Sequence, residues 1–442
     1  MKKNKYEIDM CNGTIMDKLI SFSLPLMVSG ILQLMFNAVD IIVVGRFSGS
    51  QALAAVGSTT ALINVFINLF MGISLGANVL AARYYAAGRD WEMSETVHTS
   101  IMLALISGVV MAFVGVFFAK GALELMDTPA DVIDQSALYM GMPFFMLYNY
   151  GAAILRAVGD TKRPLYFLIV SGVINAGLNM FLVIVFSLGV AGVAIATMVS
   201  QAISCVLVLR CLYKSEGSYQ LRFSKDYIIP IFQVGIPAGI QSTVINFSNV
   251  LLQSSVNSFG SIAMAGYTAA NNVLGFLYTS VNSVTQACMS FTSQNYGVGK
   301  YKRMDKVLID CLILSSGIAL VMGGGAYLFG TEILQIYTGD PEVIRCGMEI
   351  LSITTVPYFL CGIMDLFPGA LRGMGCSAVP MILSVIGTVG TRIVWIFGIF
   401  PQHRSLYVLF ISYPGSWIIT IIMQVICYLI MRKKVYSRAA AV

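Results

Sequence analysis

The apolar residues of the chain fall into long stretches separated by short polar segments. A stretch of about 18 residues or more can cross a hydrocarbon core of about 30 Å as a helix. The clearest of these cover residues 19–39, 101–118, 164–209 (two spans with a break at 187–189), 311–330 and 405–431. Less continuous ones cover residues 52–82, 132–155, 227–258, 262–293, 343–371 and 377–400. The pattern predicts an all-α integral membrane protein with twelve transmembrane helices, six in each half.

The two halves of the chain repeat each other. The segment at 48–54 returns at 259–265 with an offset of 211, and the Leu-Arg motif at Leu155 returns at Leu371 with an offset of 216. Because an even number of spans inserts both copies in the same orientation, we expect two six-helix bundles related by a pseudo-twofold axis along the membrane normal. The predicted domains are 1–209 and 227–442, joined by a cytoplasmic linker at 210–226.

Positive charge lies almost entirely on one side of the predicted membrane. The predicted cytoplasmic segments hold 22 of the 27 Lys and Arg residues, whereas the outer loops near 127–131 and 339–342 are acidic. The positive-inside rule therefore predicts that both termini lie in the cytoplasm of a multi-pass protein of the inner (plasma) membrane. The basic N-terminus precedes an apolar run too long for a signal-peptide core, so no cleaved signal is expected.

The residue composition and the motifs of the chain argue against an enzyme. Charged residues make up 11% of the chain, whereas soluble domains carry about a quarter. The only two histidines, His98 and His403, fall near loop ends, and no hydrolase, metalloprotease or phosphate-loop motif occurs. The nine cysteines fall mostly in apolar spans without a CxxC pair. We expect no enzymatic activity, no cofactor and no ATP hydrolysis. Because a duplicated membrane protein is usually a transporter, uphill transport would then be driven by a gradient of H⁺ or Na⁺.

The most informative polar residue in the predicted spans is Asp40, on the first helix. A carboxylate in the bilayer costs roughly 2.5–3.5 kcal/mol even on lenient insertion scales, so it needs a partner or a function. Gln33 and Asn37 precede it at helical spacing, and Arg46 follows near the outer end. Asp40 is thus either salt-bridged to Arg46 near the headgroups or part of a cation or proton site, with Gln33 and Asn37 as secondary candidates.

A second polar face lies on the fifth and sixth spans. Asn175 and Asn179 are four residues apart and project from one face of a helix, and Thr197 on the next span can add a hydroxyl. Their oxygens are neutral ligands suited to sodium, which Asp40, Asn175 and Asn179 could hold together. The alternative is hydrogen bonding between helices, which is common in membrane bundles.

Two further charges fall inside the predicted spans of the second half. Asp365 lies on the tenth span and Arg392 on the eleventh. We expect them to pair with each other or to contact the substrate, because a buried pair avoids two unpaired charges.

These residues, in this order, resemble the MATE (multidrug and toxic compound extrusion) transporters over nearly the whole chain. The matching pieces are Pro25, 39–46 (VDIIVVGR), 155–164 (LRAVGDTKRP), Asn175-x-x-x-Asn179, 192–197 (GVAIAT), 371–375 (LRGMG) and 413–417 (YPGSW). The resemblance implies two six-helix bundles around a V-shaped cleft, and export of organic, often cationic compounds in exchange for protons or sodium. It also implies that Asp40 is the coupling carboxylate, with Asn175, Asn179 and Thr197 as its companions.

The chain departs from parts of the family pattern. Asn179 stands where some members carry an aspartate, and the seventh span has Asn246 and Asn249 but no carboxylate. The acid of the tenth span, Asp365, lies closer to the Leu371 motif than in the NorM-like branch, so that branch's role is not transferred to it. The pattern resembles the DinF-like branch more closely than the NorM-like branch, and the lone carboxylate favours coupling to a proton.

The expected partners are small organic substrates and the lipid bilayer, without nucleic acid, and the protein is predicted to be a monomer. The main alternative function is a flippase or exporter of a lipid-linked saccharide or another amphiphile. That function predicts a basic cavity for a diphosphate, and the spans offer little beyond Arg392. A major-facilitator transporter would need a basic turn that residues 83–92 lack, and a non-transporting scaffold would not need a buried carboxylate.

Overall fold

The computed structural model describes residues 5–47, 49–125, 143–186, 188–216 and 224–440. Side chains within these ranges are described except at 40–66, 114–125, 143, 189–190, 215–216 and 438–440. Every regular element in the described part of the chain is a helix, so the predicted all-α class is confirmed.

The first half of the chain forms six long helices. They are α1 (Met16–Phe47), α2 (Gly49–Ala86), α3 (Asp90–Leu125), α4 (Pro143–Ala157), α5 (Lys162–Met180) and α6 (Gly189–Glu216). A π-helical turn, Phe181–Val185, follows α5 directly. The predicted outer loop at 127–131 lies outside the described residues.

The second half repeats this order with more interruptions. It contains α7 (Lys225–Asn257), α8 (Ser261–Gly297), α9 (Tyr301–Leu328), the short α10 (Gly330–Gln335), α11 (Pro341–Thr354), α12 (Tyr358–Gly373), α13 (Ala378–Ser384), α14 (Thr391–Val394), α15 (Leu406–Phe410) and α16 (Ser412–Ala440). The π-helical turns Val385–Gly390 and Trp395–Ile399 join α13 and α14 into one interrupted span.

Among the described residues, eight helices are long and apolar enough to cross a membrane. The predicted span at 343–371 is divided into α11 and α12, which meet at an angle of 51° and can count as a ninth. Pro357 lies at this break, where its ring and missing N–H prevent a continuous helix.

The chain divides into two compact units. The first comprises Met1–Asp9 and Val28–Gly239, and the second comprises Met10–Met27 and Ile240–Val442. The beginning of α1 therefore belongs to the second unit and the beginning of α7 to the first. The two compact units divide the chain within α1 and α7, not at the linker. The domain boundaries at 209 and 227 therefore stay a prediction.

Glycines explain why the first unit includes the beginning of α7. Gly72 and Gly76 on α2 lie against Gly239 and Ile231 of α7, so that a Cβ at either α2 glycine would overlap the backbone of α7. A Cβ at Gly235 would in turn stand 2.5 Å from the Cα of Ile73. Small residues let helix backbones approach closely in membranes, where dispersion contacts replace the hydrophobic effect as the main driving force.

Side-chain donors hold the N-terminal segment in the second unit. The backbone carbonyl of Met10 accepts hydrogen bonds from Asn295 Nδ2 at 3.1 Å and from Arg303 Nε at 3.3 Å. Lys300 Nζ donates to the Cys11 carbonyl at 3.0 Å and to Asn12 Oδ1 at 2.7 Å. Further along, the rings of Phe22 and Phe291 meet edge to face at 5.7 Å. The start of α1 is thus fixed by polar contacts as well as by packing.

The repeated Leu-Arg motif marks a helix end followed by a turn. Gly159 and Gly375 occupy equivalent places and both have positive φ, 92° and 89°, a conformation that glycine adopts without the steric cost of a Cβ. Ile8 passes so close to Gly159 that a Cβ there would stand 2.6 Å from its backbone N. Both properties require glycine at residue 159.

The same turn carries a buried ion pair. Asp160, which is fully buried, pairs with Arg163 and also accepts a hydrogen bond from the Arg163 backbone N–H at 3.1 Å. Burial raises the pKa of the Asp160 carboxyl, and the hydrogen bonds and charge of Arg163 oppose this. The carboxylate therefore caps the first turn of α5 and fixes the entry to that helix.

Candidate functional site

Four polar side chains of α5 and α6 form one hydrogen-bonded group, the α5–α6 amide cluster (Asn175, Asn179, Thr197 and Ser200). Asn175 Nδ2 donates to Thr197 Oγ1 at 3.3 Å and to Ser200 Oγ at 3.4 Å. Asn179 Nδ2 donates to Asn175 Oδ1 at 3.2 Å. Asn175 and Asn179 are 6% and 0% exposed, so the structure brings together the three residues that the sequence singled out here.

Ser200 is the member of this cluster that the sequence analysis missed. It lies three residues after Thr197, on the same face of α6, and its hydroxyl also donates to the Thr197 carbonyl at 2.9 Å. The spacing from Thr197 would have identified it. With Ser200 included, two amide and two hydroxyl oxygens lie close together, and such neutral oxygens can replace part of an ion's hydration shell.

The residues predicted on α1 are described to different extents. Gln33 and Asn37 are exposed on the surface of the first unit, and neither joins the α5–α6 amide cluster through a hydrogen bond that the structure describes. Asp40 lies on α1 seven residues before its end, but its side chain lies outside the described set. The alternative pair of Asp40 with Arg46 also falls there.

One aromatic side chain of α1 lies in its contact with α5. The ring of Phe36 lies against Gly172 of α5, where a Cβ would overlap the ring edge. Asp40 follows Phe36 by four residues, and Asn175 follows Gly172 by three. α1 therefore approaches α5 closely within one helical turn of the α5–α6 amide cluster.

In the second unit, Asp365 and Arg392 have different neighbours. Among the ion pairs of the described residues, none joins them. Asp365 instead interacts electrostatically with Arg372, which lies seven residues later on α12 and donates from Nη2 to Gln241 Oε1 at 2.7 Å. Two helical turns bring residues at this spacing onto one face, so the positive charge that acts on Asp365 lies on its own helix, and the predicted pair with Arg392 is not among the described ion pairs.

Arg392 is held by two uncharged groups. Its Nη1 donates to Asn249 Oδ1 on α7 at 2.9 Å, and its guanidinium carbon lies 4.2 Å from the ring centroid of Tyr413 on α16. The residue is only 3% exposed. We call these three residues the Arg392 cluster.

Metal-binding groups of the usual kind are not found in the described part of the chain. No group of three or more His, Cys, Asp or Glu side chains in these ranges could hold a metal ion. The suggested sodium site uses amide and hydroxyl oxygens together with Asp40, so it stays a prediction.

Comparison with known proteins identifies the family. The MatE family model matches the chain twice, over residues 25–181 and 237–397. The two matches reproduce the internal repeat and cover well over half of the chain.

Curated relatives match along most of their length. The Bacillus subtilis "Probable multidrug resistance protein YoeA" is 29% identical over 421 residues, which cover 91% of each chain. The "Multidrug export protein MepA" of Staphylococcus saprophyticus is 21% identical, over 85% of each chain. These names support the expectation that the chain is a transporter and not an enzyme.

Solved structures match the fold over the full length. The crystal structure of MATE in complex with MaL6 has a TM-score of 0.89 at 20% identity and covers 100% of both chains. The outward-facing structure of a multidrug resistance MATE family transporter of the MOP superfamily has a TM-score of 0.88 at 20% identity, again over 100% of both chains. The predicted fold of two repeated helical bundles is therefore confirmed, and the protein spans the membrane several times. On the double match of the family model, the chain belongs to the MatE family.

Proposed function

We propose that this protein is a secondary active exporter, an antiporter that exchanges organic, drug-like compounds, cationic or amphiphilic, for protons or sodium ions. The names of the MatE relatives support the drug-like class of substrate. The observation that carries the coupling part of the proposal is the buried α5–α6 amide cluster, one helical turn beyond the contact between α1 and α5.

Helix register relates Asp40 to this cluster. α1 and α5 are the first and fifth spans, so in a multi-pass bundle they run in the same direction. Starting from the contact of Phe36 with Gly172, four residues advance α1 to Asp40 by about 6 Å, and the same rise along α5 reaches the level between Asn175 and Asn179. This register supports Asp40, the only acid of α1 beyond its first turn, as a neighbour of the α5–α6 amide cluster.

This arrangement can couple an ion to a change in packing. An ionised Asp40 in a helical bundle is costly, whereas a protonated Asp40, or one that holds sodium with the amide oxygens, is effectively neutral. The two forms favour different packings of the helices around it, and an ion that binds one packing better shifts the population towards it. Each unit charge that moves inward contributes roughly 2.3 kcal/mol per 100 mV of membrane potential.

The coupling ion is proposed to be a proton. A lone carboxylate on α1, with asparagine and not aspartate at residue 179, can carry one proton without further charged ligands. Sodium remains the alternative, because the cluster offers amide and hydroxyl oxygens but no second acid. No other cofactor is required in either case.

We also propose that the protein acts as a monomer in the plasma membrane with both termini in the cytoplasm. Its partners are then the lipid bilayer and small organic substrates, without nucleic acid. The positive charges at 300–306 and 432–434 support this orientation. A lipid-linked saccharide flippase is less well supported, because the relatives carry names of multidrug proteins.

The direct test is efflux from proteoliposomes that hold the purified protein and a fluorescent organic cation such as ethidium. A pH gradient and a sodium gradient are imposed separately, the first with and without a protonophore and the second with and without a sodium ionophore. We expect dye movement that follows the imposed gradient and stops when the matching ionophore dissipates it. Dye movement that is equal with and without any gradient, or absent under both gradients, would contradict the proposal.

A further inference from the structure

The internal repeat relates the α5–α6 amide cluster to a second place in the molecule. The two family matches begin at residues 25 and 237, 212 residues apart, and end at residues 181 and 397, 216 residues apart. With the first offset, Asn37 on α1 corresponds to Asn249 on α7. With the second, Asn175 corresponds to Thr391, the neighbour of Arg392. The same offset, continued beyond the matched residues, relates Thr197 to Tyr413.

The Arg392 cluster in the second unit therefore corresponds to the α5–α6 amide cluster in the first unit, together with the part of α1 around Asn37. The correspondence extends to the backbone, because the π-helical turn Phe181–Val185 after α5 has its counterpart in Trp395–Ile399. A further π-helical turn precedes α14. Such turns occur often at functional sites, where they redirect side chains out of the regular helical register.

The two related places differ in charge. The α5–α6 amide cluster of the first unit consists of uncharged amides and hydroxyls, whereas the second unit has a guanidinium with one amide acceptor and one aromatic face. Among the described residues no carboxylate forms an ion pair with Arg392, and its buried Nε–H has no acceptor there. Burying an ion without a charged partner is costly, and the cation–π contact with Tyr413 offsets only part of that cost.

We propose that the Arg392 cluster binds the carboxylate of zwitterionic substrates. A guanidinium presents two parallel N–H donors that match the two oxygens of a carboxylate. The amide of Asn249 offers a single neutral oxygen and so does not take the place of a carboxylate. Arg392 uses Nη1 for Asn249, which leaves the edge that carries Nε for a ligand. The Tyr413 ring lies against the guanidinium and helps to hold it in this orientation.

Binding can be measured without transport, because two tryptophans lie beside the cluster. Trp395 follows Arg392 by three residues, and the ring of Trp417 lies 5.8 Å from that of Tyr413. The third tryptophan, Trp91, is 64% exposed on α3 and is replaced by phenylalanine. The purified Trp91→Phe protein in detergent is then titrated with cyclohexanecarboxylate and, separately, with the neutral cyclohexanecarboxamide. Neither compound absorbs where tryptophan is excited.

We expect a saturable change in tryptophan fluorescence with the carboxylate and none with the amide. Arg392→Gln should remove the response, and Arg392→Lys should weaken apparent affinity by about tenfold, because lysine keeps the charge but loses the fork. Size-exclusion profiles and thermal midpoints check that both variants fold. An equal response to the amide, or an unchanged response in Arg392→Gln, would overturn the proposal. If Arg392→Gln does not fold, the Arg392→Lys titration takes its place, and an unchanged apparent affinity of Arg392→Lys for the carboxylate would overturn the proposal.

A transport experiment tests whether the site binds the carboxylate of a transported substrate or only free carboxylate ions. This experiment rests on the proposed export function. Proteoliposomes are loaded with rhodamine B, which carries a free carboxylate, or with its methyl ester, which does not. Arg392→Gln should slow rhodamine B relative to the ester by about tenfold, whereas Arg345→Gln, at an exposed ion pair with Glu342, should leave the ratio unchanged. An unchanged ratio in Arg392→Gln would mean that the site holds only free carboxylates and would overturn the assignment to substrates. Failure of the wild-type protein to move either dye would contradict the export function, and the fluorescence titration would still decide the binding site.

Discussion

The ring of Phe36 on α1 lies directly against Gly172 of α5, and a Cβ at residue 172 would overlap its edge. This contact sets the distance between the helix that carries Asp40 and the helix that carries Asn175 and Asn179. A substitution at Gly172 therefore changes that distance without changing any polar group.

We expect Gly172→Ala to lower the free energy of unfolding by about 1–3 kcal/mol, as overpacking commonly does, and to slow gradient-driven efflux. Gly177→Ala is the matched control, because it lies on the same helix with no atom within 4 Å of the added Cβ. There alanine should be neutral or stabilising by up to about 1 kcal/mol through helix propensity. Thermal unfolding in detergent and efflux from vesicles measure both effects. Equal behaviour of the two variants would mean that the Phe36 contact has no such role.

Asp40→Asn should abolish efflux driven by a gradient while leaving the protein folded and inserted, because the amide can neither release a proton nor balance sodium. Asp17→Asn is the control, since Asp17 lies on the same helix at its exposed first turn. The measurement is the initial rate of dye efflux from proteoliposomes of equal protein content. Transport by Asp40→Asn at the rate of the wild type would exclude this residue as the coupling site.

Two roles of the α5–α6 amide cluster predict different magnitudes for Asn175→Ala. If the amide only joins two helices, its loss should cost about 0.6 kcal/mol and at most about 1.7 kcal/mol of stability, with transport nearly intact. If it serves the ion, we expect efflux to fall by more than about tenfold at a similar loss of stability. Asn149→Ala is the control, because Asn149 is equally buried but donates to the Phe145 carbonyl of its own helix at 2.8 Å. Similar efflux in both variants would favour the structural role.

The choice between proton and sodium can be tested at fixed pH. With a proton as the coupling ion, efflux should respond to an inward pH gradient and continue when potassium replaces sodium on both sides. Strict dependence on sodium at constant pH would contradict this, while leaving the role of Asp40 intact. In that case Asn175→Ala should raise the sodium concentration needed for half-maximal efflux.

The orientation of the chain predicts which single cysteines react from outside. In a protein without its nine native cysteines, labels at the exposed residues 302 and 434 should react only after the membrane is permeabilised. A label at the exposed residue 342 should react in intact cells. If residues 302 and 342 react from the same side, the predicted topology fails.

The repeat and the amide cluster could be predicted because both depend on local spacing. The Leu-Arg-Gly turn needs glycine at a positive φ in both halves, and Asn175 and Asn179 share a helix face whatever surrounds them. Ser200 lies three residues after Thr197 on the same helix face, so it could have been predicted in the same way. Arg372 lies seven residues after Asp365, so its place on the same helix face as Asp365 could also have been predicted.

The remaining contacts depend on which helices meet, and helix periodicity does not contain that information. The bond of Arg392 to Asn249 joins residues 143 positions apart, so the expectation that Asp365 would be its partner rested on charge alone. Likewise, the division of α7 between two units follows from a seam of glycines on α2 and α7, whose significance appears only when the two backbones meet.

The hydrogen bonds to the Met10 carbonyl have a consequence for biosynthesis. Their donors, Asn295 and Arg303, leave the ribosome long after the first helix has entered the membrane. Until then the start of α1 lacks the partners that fix it, so a segment inserted early is among the last to reach its final packing. A nascent chain released before residue 303 would therefore keep the start of α1 without these hydrogen bonds.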